Sequence, residues 1–286
     1  MKTCIDCLPC LARNAIDLAK KTHVDTARQL EIAAAAVRGL ATSDFKLSPP
    51  EKARGIMDLT LEMSDRVTPD PYLAEKDKST VLARELVKRL DSVPGWNPDD
   101  FESRLRLSVT GNILDFSVYG DLDLTAALET VSTAFTKPVD TAAVAELKRR
   151  MDAAKKILFI LDNCGEAVFD RVFIEPYRAK TTVMMKGRPA FNDVTRRELA
   201  DSGFTDGFAG FVDNGTGVPG VVLDQLPADA RAAFESADLI VAKGQGNFET
   251  MNEFKGFPIV FLFLAKCPVV IRTIGAEPKS IQVRFL

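Results

Sequence analysis

Side chains that carry oxygen ligands follow an apolar run near the middle of this 286-residue chain. Residues 157–161 are apolar and end at Asp162 and Asn163, which predicts a buried strand with these two residues at its end. Ligands in open α/β sheets bind beyond the carboxyl ends of the strands. A carboxylate beside an amide oxygen suits Mg²⁺ or Mn²⁺. The alternative is that Asp162 or Asn163 caps the helix that follows.

Two later segments repeat this arrangement. A predicted strand at residues 181–185 leads towards Asp193, and a third at residues 237–242 ends in Lys243 and Gly244. We expect these strand ends to converge, so that a cation held by the carboxylates bridges to an anionic substrate and Lys243 adds positive charge to the same anion. The glycine would let backbone amides approach that anion.

Together these segments resemble a known family, the metal-dependent damage-control phosphatases. The family is also labelled acidic-residue-methyltransferase-like and was formerly a domain of unknown function. The cysteines near the start resemble its prokaryotic branch, so the resemblance spans nearly the whole chain. The motifs that carry it are Asp162-Asn163 with Gly165-Glu166, residues 186–194, residues 243–249 and residues 111–116.

The resemblance implies a set of roles. In the family an Asp-Asn pair and a later Asp hold a divalent metal, and a Lys after a late strand meets the phosphate. By motif match these roles fall on Asp162, Asn163, Asp193 and Lys243. The expected cofactor is a divalent cation (Mg, Mn, Co or Ni), and the expected partner is a small phosphorylated metabolite, such as a sugar phosphate or a damaged phosphometabolite. The longer C-terminal signature of the eukaryotic members is not evident, so their substrates are not carried over.

The chemistry expected of such a site is hydrolysis of a phosphomonoester by metal-activated water. The cation would neutralise the phosphoryl oxygens and lower the pKa of a water molecule, while Lys243 would stabilise charge in the transition state. Asp162 could instead attack phosphorus and form an aspartyl-phosphate. The chain lacks a second aspartate two residues after Asp162, which favours water.

Further candidates surround this core set, each with a structural alternative. Glu166 is either a general base that holds water near the metal or a first-turn acid favoured by the helix dipole. Asn112 and Asp115 either line the active-site edge or are a helix cap and a surface carboxylate. Thr216 either donates to the substrate from a glycine-rich loop or belongs to a plain turn. The remaining candidates for substrate binding are Lys186, Gly244 and Asn247.

Three cysteines, Cys4, Cys7 and Cys10, stand three residues apart at the start of the chain. Thiolates at this spacing suit Zn²⁺ or an iron–sulfur cluster, which would be a possible second metal site, but a fourth ligand is missing nearby. The alternative is buried or redox-active thiols. Because they lie far in sequence from the phosphate-handling residues, we expect that they are not the phosphatase centre.

Other function classes have weaker support. A Rossmann-like nucleotide-binding or methyl-transfer module would need a series of glycines after the first strand, and only Gly165 is present. A thiol or iron–sulfur redox protein would place its centre at the cysteines. A Ser-His-Asp hydrolase would have to use His23, the only histidine, and the chain has no Gly-x-Ser-x-Gly elbow.

The element pattern predicts an α/β fold in two parts. Residues 1–145 read as a helical N-terminal lobe, and residues 146–286 as a Rossmann-like α/β/α lobe with a mostly parallel sheet that binds the metal and phosphate. Its predicted strands are residues 157–161, 181–185, 207–212, 239–242, 258–265 and 269–271.

Composition limits the partners and the compartment. A formal net charge of −3 without a basic stripe argues against nucleic acid. The longest apolar run, residues 258–265, is too short to span a membrane, and the polar start is unlike a signal peptide. Five cysteines, three of them clustered, do not form a disulfide framework. We therefore expect a cytoplasmic enzyme, with no prediction of its oligomeric state.

Overall fold

The computed structural model describes residues 1–111 and 124–286. Its α-helices are α1 Leu8–Lys20, α2 Thr26–Thr42, α3 Pro49–Met63, α4 Leu73–Val87, α5 Phe101–Thr110, α6 Leu124–Thr136, α7 Thr141–Ala153, α8 Glu166–Ile174, α9 Ala228–Ser236, α10 Gly244–Met251 and α11 Pro268–Ile274. Its strands are β1 Ile157–Ile160, β2 Thr181–Met185, β3 Gly210–Asp213, β4 Leu239–Lys243, β5 Ile259–Leu264 and β6 Ile281–Phe285.

The six described strands form one sheet in the order β3-β2-β1-β4-β5-β6. The first five are parallel, and β6 pairs antiparallel with β5 at one edge. This is the strand order of doubly wound nucleotide-binding folds, in which the chain reverses its direction of winding between β1 and β4. The predicted α/β fold with a mostly parallel sheet is therefore confirmed.

Helices cover both faces of the sheet. Alternate residues of each strand point to opposite faces, so Phe159 packs against α5, α7 and α8, whereas Ile160 packs against α9, α10 and α11. All four residues of β1 are buried, as expected for a central parallel strand between two helical layers. This places the carboxyl end of β1 in the interior of the molecule.

The remaining helices pack beside this sandwich and share cores with it. Helices α1, α2 and α3 form one apolar cluster, and α3 begins with a capping box in which Ser48 and Glu51 satisfy each other's backbone amides. Leu105 of α5 and Leu147 of α7 belong to the same core as β1. Leu105 precedes the boundary predicted at residue 145, and Leu147 follows it. One core therefore contains residues from both sides of that position, and the division into two lobes stays a prediction.

The C-terminal segment differs from the predicted pattern. Residues 269–271, read as a strand, lie in α11, because Pro268 at the first turn favours a helix start and Gly275 adopts a left-handed conformation that ends it. The last strand, β6, was not predicted. It lies at the edge of the sheet and its last two residues are half-exposed, so its sequence lacks the continuous apolar run of the central strands. In the described part of the chain, no helix has the length and apolar character needed to cross a membrane.

Candidate functional site

The candidate site lies where the winding of the sheet reverses. Asp162 and Asn163 follow β1 after one further apolar residue, and Lys243 is the last residue of the neighbouring β4. Gly244 begins α10 directly after it. Because β1 and β4 are parallel neighbours that are followed by helices on opposite faces, a crevice opens between their carboxyl ends.

A long loop after β2 brings Asp193 to the same place. Asp193 lies eight residues beyond the end of β2. At that distance along a loop, the sequence alone does not define where the side chain lies. The loop turns back and pairs antiparallel with the segment after β1 through a bridge between Asn163 and Asp193. The Cys164 amide donates to the Asn192 carbonyl at 2.8 Å, and the Val194 amide donates to the Asp162 carbonyl at 2.9 Å. Backbone pairing therefore fixes the two aspartates side by side.

The side chain of Asn163 joins the carboxylates of this cluster. Its Nδ2 donates to Oδ2 of Asp162 at 2.8 Å and to Oε2 of Glu166 at 3.2 Å. Helix α8 has Gly165 at its N-cap position, and its first three amides donate to the backbone carbonyls of Cys164, Asn163 and Gly165. The alternative that Asp162 or Asn163 caps this helix is therefore wrong.

Lys243 lies in a fully buried ion-pair cluster behind these residues. Its ammonium group is 2.6 Å from Oε1 of Glu166 and 2.5 Å from Oδ1 of Asp170. It also donates to the backbone carbonyl and the hydroxyl of Ser108, at 3.0 and 2.9 Å. Four protein oxygens thus surround a group with three N–H donors. Contact between Lys243 and a phosphate stays a prediction, and it requires the ammonium to exchange one of these partners.

Burial and crowding of like charges raise the pKa values of the three buried aspartates in this cluster. The pKa of Asp162 is raised well above its ordinary value by burial and then by the charges of Asp193 and Glu166. Burial also raises the pKa of Asp193, against the opposing effect of Lys186, and raises that of Asp170 to about 7.

The pKa of Lys243 is raised as well, since its acidic neighbours favour the charged form of the ammonium group. Burial lowers the pKa of Lys243, but the carboxylates of Asp170 and Glu166 outweigh it and hold that pKa above its ordinary value. The ammonium group is therefore held in its charged form.

The charge balance of the cluster fits a divalent cation. Four carboxyl groups and two ammonium groups are buried together, so full ionisation leaves two negative charges in excess. The acids are Asp162, Glu166, Asp170 and Asp193, and the cations are Lys186 and Lys243, all at most 7% exposed. In the described residues no three His, Cys, Asp or Glu side chains converge as a ready metal cage. A site for a cation therefore needs the amide oxygen of Asn163 beside the two aspartates, which is a donor set suited to Mg²⁺ or Mn²⁺.

Gly244 allows the close approach of β4 to the carboxylate. Its φ angle is +77°, and a Cβ atom at this position would overlap the carboxylate of Asp162. The sequence argument expected this glycine to admit a ligand to the backbone. In the structure the group that it admits is the side chain of Asp162.

A cavity of about 790 Å³ opens onto the two aspartates and Asn163. Its walls come from the loop after β2, the first turn of α10, the start of α11, and helices α1 and α3 of the N-terminal half. Among the lining residues are Leu11, Asn14, Pro50, Phe191, Gln245, Glu249 and Arg272, together with Cys7, Cys10 and Cys267. The cysteines therefore border the same cavity as the carboxylates, although most of the chain separates them in sequence.

Two other predicted substrate-binding residues, Lys186 and Asn247, support the site through backbone contacts and an ion pair. Lys186 is buried, donates to the Leu161 carbonyl at 3.1 Å and pairs with Asp193 at 3.2 Å. Asn247 is also buried and donates to the Lys243 carbonyl at 2.7 Å, which supports the start of α10.

Thr216 does not line the cavity, and the last two candidates cannot be placed against it. Thr216 accepts from the Val218 amide at 3.2 Å within its own buried turn, away from the residues that line the cavity. Asn112 and Asp115 lie outside the described residues.

Several cavity residues were assigned no role from the sequence, although two of them, Gln245 and Glu249, lie within the motif at residues 243–249. Gln245 accepts from the backbone amides of Lys266 and Cys267, at 2.6 and 3.2 Å, which ties α10 to the start of α11. Glu249 follows one turn later, and burial raises its pKa to about 7. Cys267 also follows an apolar strand, as Asp162 does, so its position was a further signal in the sequence.

Comparisons with known proteins place these features in a family. The model of the damage-control phosphatase ARMT1-like domain matches residues 3–281. A Pyrococcus horikoshii protein named damage-control phosphatase is 33% identical over 99% of this chain and 97% of its own. An Archaeoglobus fulgidus protein of the same name is 32% identical over 73% of each chain. The crystal structure of a DUF89 family protein from Pyrococcus horikoshii matches with a TM-score of 0.89 and 28% identity, covering 100% of this chain and 99% of that one.

Proposed function

The chain belongs to the damage-control phosphatase ARMT1-like family, and on this premise we propose that it is a divalent-metal-dependent phosphatase of small phosphomonoesters. The relatives named damage-control phosphatase support phosphatase activity. The observation that supports the metal dependence is the cluster of four buried carboxyl groups beside the cavity, with Asp162, Asn163 and Asp193 at the cavity wall.

In this proposal Asp162, Asn163 and Asp193 hold the cation. The raised pKa of Asp162 supports it, since a cation between the carboxylates would relieve the repulsion that raises this pKa. Asn163 would turn its amide, so that Oδ1 rather than Nδ2 faces Asp162. Bound there, a divalent cation would neutralise phosphoryl oxygens and activate water for attack on phosphorus.

The residues behind the cation hold its ligands in place. Glu166 links Asn163 to the ammonium of Lys243, and Lys186 lies between Asp193 and the end of β1. Both lysines are buried and paired, so they balance the charge of the acids in a water-poor interior where electrostatic effects are strong. Glu166 and Lys243 thus orient the ligand set, and a direct contact of Lys243 with phosphate would be additional to this role.

The cavity sets the size and placement of the substrate. Its volume of about 790 Å³ lies within the range of small-molecule sites. A phosphate group at the aspartates would leave the rest of the metabolite between α1, α3 and the loop that carries Phe191. At the other end Arg272 is 60% exposed and pairs with Asp6, so this end is open to solvent.

The proposal is tested by phosphate release from a panel of phosphomonoesters, with and without Mg²⁺, Mn²⁺, Co²⁺ or Ni²⁺. We expect turnover only with a divalent cation, and loss of both turnover and cation binding in Asp162→Asn. The control is Asp201→Asn, at an exposed aspartate outside the cavity, which should behave as the wild type. Metal-independent release, or full turnover in Asp162→Asn, contradicts the proposal.

A further inference from the structure

The side chain of Gln245 has a fixed orientation at the cavity wall. Its Oε1 accepts hydrogen bonds from the backbone amides of Lys266 and Cys267, at 2.6 and 3.2 Å. An N–H group can donate only to an acceptor, so these two amides require the oxygen end of the side chain to face them. The NH₂ group of Gln245, Nε2, therefore points away from the start of α11.

Nε2 carries two N–H donors that the described residues leave unused. Within residues 1–111 and 124–286 it donates to no acceptor, and it is not among the buried polar atoms that lack a partner there. Gln245 itself is half-buried and lines the cavity. Its two donors are therefore open to a molecule bound in the cavity.

Gln245 also lies directly beside the proposed cation site. It follows Gly244, where a Cβ atom would overlap the carboxylate of Asp162. Since consecutive Cα atoms are about 3.8 Å apart, the side chain of Gln245 starts within a few ångströms of that carboxylate. Asp162 and Gln245 line the same cavity. A phosphoryl group held by a cation at Asp162 is thus the part of a substrate within reach of Nε2.

We propose that Gln245 is a substrate-binding residue, and that its Nε2 donates a hydrogen bond to a phosphoryl oxygen of the bound ester. The inference rests on the proposed function, because it needs the cation at Asp162 to hold the phosphate. Its failure and the failure of the phosphatase activity give different results in the experiment below.

The placement of the two buried lysines supports this role. Lys186 and Lys243 do not line the cavity, and their ammonium groups pair with the buried carboxylates of Asp193 and Glu166. Gln245 instead presents N–H donors at the cavity wall. A neutral amide can bind a phosphoryl oxygen there without changing the charge balance of the buried cluster.

The contact with α11 prepares the donor for binding. A free glutamine side chain loses rotamer freedom when a ligand fixes it, which opposes binding. In Gln245 two hydrogen bonds to Oε1 already hold the amide group in place. Gln245 therefore has two separable roles, since Oε1 ties α10 to α11 and Nε2 binds the substrate.

Two substitutions separate these roles. In Gln245→Glu a carboxylate oxygen still accepts from both backbone amides, but the N–H donors are lost and a negative charge is added. In Gln245→Met both the tie to α11 and the donors are lost, and no charge is added. Loss of the donors is the change that the two variants share.

The test is calorimetric titration of Mn²⁺-loaded protein with inorganic phosphate. We expect both variants to bind phosphate roughly 10- to 100-fold more weakly than the wild type, as expected for loss of a hydrogen bond to a charged group. Gln245→Met should bind Mn²⁺ with wild-type affinity, because no metal ligand is lost. The matched control is Gln225→Glu, at an exposed glutamine outside the cavity, which should bind phosphate as the wild type does.

The two variants must agree for the inference to stand. Weaker phosphate binding in Gln245→Met alone would assign Gln245 only to the tie with α11, and weaker binding in Gln245→Glu alone would assign the effect to charge. Either result overturns the inference, as does absence of phosphate binding in the Mn²⁺-loaded wild type.

Turnover of phosphomonoesters by the same preparations tests the proposed function separately. Phosphate binding that depends on Gln245, without turnover in the wild type, would contradict the phosphatase activity and leave this inference standing. Turnover in the wild type with unchanged phosphate affinity in both variants would overturn this inference and leave the phosphatase activity standing.

Discussion

At the scale of single residues, the ammonium group of Lys243 forms ion pairs within the protein. Its position after an apolar strand suggested a cation that meets phosphate, whereas the structure surrounds it with Glu166, Asp170 and Ser108. A buried ammonium between two buried carboxylates stabilises the fold as long as all three are present. Removing one partner leaves the others uncompensated.

We therefore expect Lys243→Ala to lower the free energy of unfolding by about 3–5 kcal/mol. Cation binding should stay close to normal because no ligand is lost, while the rate should fall because Glu166 loses its support. Denaturant unfolding, calorimetry with Mn²⁺ and initial rates on one preparation measure the three effects. The double variant Lys243→Met with Asp170→Asn should recover part of the stability. A rate that falls with unchanged stability would instead indicate that Lys243 acts directly on phosphate.

Glu249 gives a second prediction, on pH dependence. Its pKa in the folded protein is about 7, raised by burial from an ordinary 4.5 and only partly offset by the terminal amine of Met1. Between these values the folded protein keeps a proton that the unfolded chain releases, so stability falls as pH rises from about 4.5 to 7.

Glu249→Gln should flatten this fall and raise the free energy of unfolding at pH 8 by an amount on the order of 3 kcal/mol. Unfolding curves at pH 4, 6 and 8 check it. Glu277→Gln, at an exposed side chain that does not line the cavity, is the control and should follow the wild type. Parallel pH profiles for wild type and Glu249→Gln would contradict the prediction.

At the scale of elements, the start of α10 determines how closely β4 approaches β1. Gly244 has φ +77° and borders the carboxylate of Asp162, so no side chain fits there. Gly256 has a similar φ of +81° but open space around its Cα. Comparing substitutions at the two glycines therefore distinguishes the destabilisation caused by a left-handed backbone from the effect of displacing the Asp162 side chain.

Both Gly244→Ala and Gly256→Ala should lose about 1–2 kcal/mol of stability from the left-handed conformation. Only Gly244→Ala should also weaken cation binding, by at least a factor of about ten, because its Cβ would displace a ligand. Calorimetry with Mn²⁺ on the two folded variants compares them. Equal affinities would show that Asp162 does not hold the cation.

At the scale of the whole molecule, the helical half of the chain completes the site of the α/β half. Leu11 of α1 and Pro50 of α3 line the cavity, and Leu105 of α5 packs in the core beneath β1. The boundary near residue 145 marks a change of sequence pattern rather than a gap between cores. A substrate in this cavity would be held by residues from both halves.

The sequence by itself determined the class of fold and the core of the candidate site. Continuous apolar runs such as residues 157–161 predict buried strands. The carboxyl ends of parallel strands lie at the same edge of a sheet, which is where ligands bind. This local information was enough to select Asp162, Asn163 and Asp193. It also identified Lys243 and Glu166 as members of the cluster, though not their mutual pairing.

Only the tertiary structure decided how these residues are arranged. Asp193 reaches Asp162 through backbone pairing of two loops, and Cys267 lines the same cavity as Cys10 because α11 lies near α1. Such contacts depend on how distant elements pack, which no local periodicity encodes. The orientation of Lys243 has the same cause. A buried ammonium group is stable only when its N–H groups are hydrogen-bonded. The oxygens that accept these bonds come from helices α5 and α8, which are far from Lys243 in sequence.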